Sequence, residues 1–172
     1  GTFLKSARSE KFRTKAGRKK AYEALKAAQI DALVSIGGDG TFTGAMIFNQ
    51  EFNFPVIGIP GTIDNDIFGT SHTLGYDTTL NTVVDVIDKI RDTASSHNRL
   101  FFVEVMGRDV GHIALNVGVG AGAEEILIPE EDLGLDPGPQ SGIDFACLAY
   151  VNLVKIPSQY MVQLIQVSCA AP

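Results

Sequence analysis

The sequence predicts an α/β fold, a three-layer sandwich built on a mainly parallel sheet. Three observations carry that expectation. Short apolar runs stop at glycine-containing loops. Stretches with apolar residues at helical spacing lie between those runs. The two kinds of segment alternate along the chain. Strands that alternate with helices form parallel sheets covered on both faces.

The elements follow in order. Residues 14–29 put Ala21, Leu25 and Ala28 at helical spacing beneath a basic outer face. Residues 32–36 are an apolar run ending in Gly37-Gly38-Asp39-Gly40, which predicts a buried strand running into a glycine turn. Residues 41–49 read as a helix, and residues 55–60 as a second buried strand. Asp77 is the expected cap of a long helix reaching about Ser96, with Leu80, Val83, Val84, Ile87 and Ile90 as its apolar stripe. Residues 100–105 form a third strand that ends at Met106-Gly107-Arg108, residues 109–121 a helix of small residues, and residues 125–128 a fourth strand.

The 172 residues suit one domain with a substantial core. Apolar residues make up 45% and charged residues 20%, an ordinary globular mix. A formal charge of −6 gives no general attraction to nucleic acid or to a membrane surface. The charge is uneven: Lys5, Arg8, Lys11, Arg13, Lys15, Arg18, Lys19 and Lys20 stand against Glu10 alone. Such a block either faces phosphates or forms a solvated helix surface. No apolar run reaches the ~18 residues of a membrane-spanning helix. Cys147 and Cys169 match no metal spacing and suggest no disulfide framework, so a reduced cytoplasm is the expected setting. His72, His97 and His112 are not spaced as a metal set, and Phe42, Phe48, Phe52 and Phe54 read as core and cover. The chain opens at Gly1-Thr2-Phe3-Leu4 and not at Met, which reads as the middle of a longer protein.

Three strand ends carry polar, glycine-rich clusters. In a parallel sheet the ligand sits outside the carboxyl ends of the strands, so these loops are expected to meet at one site. In Gly37-Gly38-Asp39-Gly40-Thr41 the glycines allow close approach to an anion, and the following helix offers its N–H groups and positive end. Asp39 sits among phosphates only with a cation, which implies Mg2+. A tight strand–helix turn would use the same residues. In Pro60-Gly61-Thr62-Ile63-Asp64-Asn65-Asp66 one carboxylate can accept a hydroxyl proton while the other holds a metal. An Asx-type turn is the plainer alternative. Arg108 of Met106-Gly107-Arg108 can offer a fork of donors to phosphate, or form a surface ion pair. A phosphate cradle, a metal ligand, a base and a cation together fit phosphoryl transfer.

In this order and spacing the three motifs resemble the bacterial-type, ATP-dependent 6-phosphofructokinase family. Gly1-Thr2-Phe3-Leu4, Ser6-Ala7-Arg8, Arg91-Asp92-Thr93-Ala94-Ser95-Ser96-His97 and Ile128-Pro129-Glu130 agree with it. The resemblance covers about residues 1–130 as a partial, Rossmann-like nucleotide-binding and catalytic core, leaving residues 131–172 as a divergent tail. It implies transfer of the γ-phosphate of ATP to the 1-hydroxyl of fructose 6-phosphate. Asp64 would be the catalytic base and Asp39 the Mg2+–nucleotide carboxylate, with Asp66 near the metal. Gly38, Gly40 and Thr41 would form the nucleotide-phosphate loop, and Arg8 would reach the ATP phosphates. Thr62 would lie near the transferred group. Met106, Gly107, Arg108 and an interface-crossing Arg99 would contact the sugar phosphate. Arg91, Gly122 and Glu124 would belong to an effector site for an ADP-type ligand and its Mg2+.

Relatives that use pyrophosphate typically carry an acid in place of Gly40 and Lys in place of Gly61, so both glycines imply ATP. The resemblance further implies a homo-oligomer, a tetramer in the family, in the cytoplasm. The family's first phosphate loop and its smaller sugar-binding domain have no match here, so the chain by itself is expected to turn over poorly. Other readings are a lipid or NAD kinase sharing Gly-Gly-Asp-Gly, or a non-catalytic nucleotide-binding or subunit-interaction fragment.

Overall fold

A computed structural model describes residues 7–97, 100–131, 148–151 and 162–166. These fall into two compact units. The described residues up to Thr62, with Asp66–Thr73, form the first; Ile63–Asn65 and those from Leu74 onward form the second.

The first unit opens with two helices, α1 (Glu10–Arg13) and α2 (Lys15–Ala27). Thr14 separates them because its hydroxyl accepts from the Gly17 N–H at 3.1 Å, a cap at the predicted start of the longer helix. Next come β1 (Leu33–Gly37), α3 (Asp39–Phe52) and β2 (Val56–Pro60). The strands are parallel, with Leu33 opposite Val56 and Gly37 opposite Pro60. Helix α3 covers one face of the pair: a Cβ on Gly58 would lie 2.8 Å from the Phe42 ring. Phe48 and Phe54 are buried, and Tyr22 stacks on Phe52 with centroids 4.8 Å apart. Phe48 and Phe54 thus form core and the partly buried Phe42 and Phe52 its cover, as the sequence suggested.

One expectation needs correction here. The strands are not buried on both faces, since Val34, Ile36 and Ile57 are 59%, 64% and 63% exposed. Side chains alternate along a strand, and only the face carrying Gly58 meets α3. An all-apolar run does not record which face receives a partner. Most of the basic segment is solvated, as expected: Arg8, Lys11, Arg13, Lys15, Lys19 and Lys20 are exposed, and Arg18 is the exception. Arg18 is buried, and its Nε and Nη2 donate to Glu51 at 2.7 and 2.8 Å.

The second unit holds α4 (Tyr76–His97), β3 (Leu100–Glu104), α5 (His112–Ala121), β4 (Glu125–Leu127), β5 (Leu148–Val151) and β6 (Val162–Gln166). The strand order is β4-β5-β3-β6. β6 runs parallel to β3, whereas β5 runs antiparallel to both β3 and β4. Helix α4 starts one residue before Asp77, so that carboxylate sits in the first turn and is not the cap. Gly75, at φ 95°, makes the turn into the helix, and Asp77 still favours the positive helix end. Val83 and Ile87 of the stripe enter a core with Val103, Val105, Ile113, Ala114 and Val117, flanked by Leu80, Val84 and Ile90. Helix α5 ends at Gly122 in the left-handed region, where a glycine is the usual stop. The architecture is α/β with parallel strands, as predicted.

Candidate phosphate-binding and catalytic loops

Strand β1 ends at Gly37 and α3 begins at Asp39, so Gly38 occupies the cap position of α3. The leading N–H groups of a helix have no acceptor within it, and its positive end favours anions. Asp39, Gly40 and Thr41 are exposed on this first turn. A Cβ on Gly40 would meet nothing within 4 Å, so the loop leaves open space where an anion would approach.

The loop after β2 packs directly on this one. The Gly61 N–H donates to the Gly37 carbonyl at 3.0 Å. A Cβ on Gly61 would lie 2.8 Å from Ile36 Cγ2, and one on Gly38 would lie 3.5 Å from Thr62 Cβ. Small residues are what let these two strand ends touch. The chain then enters the second unit for Ile63–Asn65, with Ile63 packed against its core and Asn65 at φ 55°, and returns to the first at Asp66. Oδ1 of Asp66 is buried with no hydrogen-bond partner. A buried carboxylate oxygen in that state is costly unless a cation or donor joins it.

Met106, Gly107 and Arg108 lie in the second unit, between β3 and α5. Gly107 is buried while Met106 and Arg108 are exposed. The Val110 N–H donates to the Gly107 carbonyl at 3.1 Å, closing a turn that holds Arg108 at φ 58°. Arg108 Nε lies 3.3 Å from the Asp109 carboxylate.

The structure therefore brings Gly38, Gly61 and Thr62 together within the first unit, which also holds Asp39, Gly40, Thr41 and Asp66. Asp64, Met106, Gly107 and Arg108 belong to the second. Arg8 is exposed ahead of α1. In the second unit a Cβ on Gly122 would lie 3.3 Å from Arg91 Nη2, so these two predicted neighbours do meet; Glu124 is exposed two residues on. Arg99 and both cysteines lie outside the described residues. Among the described residues no group of three or more His, Cys, Asp or Glu side chains could hold a metal. The unpartnered Asp66 oxygen is of the kind a cation would satisfy, and Mg2+ needs only one or two carboxylates together with substrate phosphates.

Sequence reasoning missed two polar arrangements. The first is the Arg18–Glu51 pair, whose mutual hydrogen bonds hold the Glu51 carboxyl below its usual range and raise Arg18. The second is Glu130, whose carboxylate accepts from the Gly111 N–H at 2.8 and 3.1 Å. Neither has a periodic signature, because each joins residues far apart in sequence. Burial also raises the Tyr76 phenol, partly offset by the hydrogen bond from Asn116.

Glycine loops at the ends of two parallel strands, one of them opening a helix, define an α/β protein whose loops meet at the strand ends, where such folds place their ligands. Comparison with known proteins narrows this. A family model described as Phosphofructokinase matches residues 1–143. An ATP-dependent 6-phosphofructokinase 2 of Bacteroides thetaiotaomicron is 61% identical over 136 residues, covering 79% of this chain and 42% of the relative. An ATP-dependent 6-phosphofructokinase 1 of Thermus thermophilus is 59% identical over 131 residues, 76% of this chain and 41% of its own length. The crystal structure of Pichia pastoris phosphofructokinase in the T-state superposes with a TM-score of 0.71 at 39% identity, over 76% of this chain and 16% of that one. The chain belongs to the phosphofructokinase family. It spans about 42% of the length of the first of these bacterial relatives. Among the described residues no helix is long and apolar enough to cross a membrane.

Proposed function

We propose that this chain carries the nucleotide-phosphate and catalytic loops of an enzyme that transfers the γ-phosphate of ATP to the 1-hydroxyl of fructose 6-phosphate. The observation that supports it most is the packing of the second motif on the first. Gly61 bonds to Gly37, and Thr62 lies against Gly38, beside the open first turn of α3. A phosphate at that turn would be met by backbone N–H groups and by the Thr41 and Thr62 hydroxyls. Asp64 follows Thr62 by two residues and would take the proton of the sugar hydroxyl. Arg108 and Met106 would contact the sugar phosphate, with Gly107 giving the buried turn between them and Arg99 reaching across a subunit boundary. Asp39 and Asp66 would hold Mg2+, which would neutralise phosphate charge; the unpartnered Asp66 oxygen supports that role. Arg8 would add a cation at the ATP phosphates.

The same reading assigns Arg91, Gly122 and Glu124 to an effector anion and its Mg2+, and implies a homo-oligomer in the cytoplasm. The family-like core is taken as residues 1–130.

The test is binding and transfer together. Mg–ATP titrated calorimetrically into the purified chain should bind, and Asp39→Asn should weaken that binding. Transfer assays would offer fructose 6-phosphate, NAD and diacylglycerol, with a full-length relative as the positive control. Any turnover should require the sugar phosphate and vanish in Asp64→Asn. Failure to bind Mg–ATP, or transfer to NAD or lipid instead, would sink the proposal.

A further inference from the structure

We infer that Glu130 is a positioning residue that fixes the Met106-Gly107-Arg108 loop, acting through the backbone of Gly111. The inference rests on the reading of that loop as a sugar-phosphate contact.

Gly111 is the residue on which α5 starts, and it has no side chain to cap the helix. Glu130 instead holds the cap residue itself, with both carboxylate oxygens at 2.8 and 3.1 Å from the Gly111 nitrogen, whose N–H has no acceptor within the helix. The carboxylate is delivered by a turn after β4, closed by the Glu131 N–H to the Ile128 carbonyl at 3.2 Å, with Pro129 fixing the backbone inside it. The fit is tight. A Cβ on residue 111 would lie 2.5 Å from Ile128 Cβ and 2.7 Å from Glu130 Oε2. Residue 111 therefore has to be glycine, and it is wedged into the 128–130 turn.

Between this clamp and β3 lies the segment that bears Arg108. Its near end is held by Val105 in the core and by buried Gly107. Its far end is held by Glu130. In between, Arg108 sits at φ 58°, a conformation that a residue with a side chain adopts only when its surroundings over-determine it. A turn fixed at both ends supplies that constraint. The Gly107–Val110 hydrogen bond closes the turn locally, and Glu130 anchors its far end; with that anchor released the turn would shift, and the Arg108 guanidinium would no longer be aimed by a fixed backbone.

The experiment is titration of the purified chain with fructose 6-phosphate, read from backbone amide shifts in nuclear magnetic resonance spectra. Glu130→Ala should weaken binding about tenfold, and Glu130→Gln, which keeps the acceptor, should restore most of it. In an Arg108→Lys background Glu130→Ala should add little, because its effect passes through Arg108. The Gly111 amide should exchange at least about tenfold faster in Glu130→Ala. Wild-type affinity in Glu130→Ala, or an undiminished loss in the Arg108→Lys background, overturns the inference and leaves Glu130 as an anchor of the helix start only. A wild-type chain that shows no response to fructose 6-phosphate overturns the sugar-phosphate reading itself, a different result from wild type and Glu130→Ala binding alike.

Discussion

Arg18 and Glu51 form a two-pronged ion pair across the first unit, with the guanidinium Nε and Nη2 each donating to a different carboxylate oxygen. Arg18 Nη1 also donates to the carbonyls of Phe12 and Arg13 at 3.0 and 2.7 Å, so one side chain ties α1 and α2 to the end of α3. Arg18→Ala should lower the thermal midpoint by at least about 4 °C, because it strands a half-buried carboxylate and frees α1. Lys in its place should restore little, lacking the fork.

The same pair gives a pH dependence with a defined sign. Folding lowers the Glu51 pKa, chiefly through the Arg18 hydrogen bonds. The stability it contributes is therefore complete above the unfolded-state value of about 4.3 and fades as pH falls through the lower folded value. Thermal midpoints of wild type and Glu51→Gln should differ most near neutrality and converge in acid. A gap that widens below pH about 4 would contradict the assignment.

Gly118 lets α5 approach β4. A Cβ there would lie 2.7 Å from both Cδ1 and Cγ1 of Ile126. Gly118→Ala gains helix propensity of ~1 kcal/mol but overpacks a buried contact. The expected net loss is about 1–2 kcal/mol, read by urea unfolding. Ile126→Val removes one of the two crowding atoms, so the alanine should cost less in that background.

These cases show what was legible in the sequence and why. The stripe Leu80–Ile90 repeats with a helical period, and α4 lies where that period places it, one residue off at Asp77. The glycine loops were legible because strand ends and helix starts have local chemistry, although α3 begins at Asp39, two residues before the expected start. What pairs across space was not legible. Glu51 and Arg18 are 33 positions apart, and Glu130 and Gly111 are 19 apart, distances at which no local pattern operates. The exposed face of Val34, Ile36 and Ile57 was missed for a related reason, since a continuous apolar strand looks the same whether one face or both are covered. Strands β5 and β6 lie in a stretch read only as a tail of uncertain structure; their partner β3 is the apolar run 100–105.

Gly40 separates structural from functional demands. It sits in the first turn of α3 with open space around its Cβ position, so a side chain there clashes with nothing in the protein. Gly40→Ala should leave the fold intact and raise the thermal midpoint slightly, by about 1–2 °C. Gly40→Asp should also fold, yet lower Mg–ATP affinity at least about tenfold, since its carboxylate would enter the space required by a phosphate. Titration calorimetry on the two variants checks this. Equal affinity in Gly40→Asp and wild type would place the nucleotide elsewhere.

Asp66 gives a complementary test on the side of the cation. Its Oδ1 is buried and lacks a hydrogen-bond partner, a position that a cation would satisfy. Mg2+ with ATP at about ten times its dissociation constant should stabilise wild type by about 1.4 kcal/mol, a rise of several degrees in thermal midpoint. Asp66→Asn should melt close to wild type in chelator, since Oδ1 has no hydrogen-bond partner to lose. It should also lose most of the rise that Mg2+ adds to ATP alone. A variant that melts lower than wild type in chelator while keeping the full Mg2+-dependent rise would show that Asp66 has a structural partner and that the cation is held by other groups.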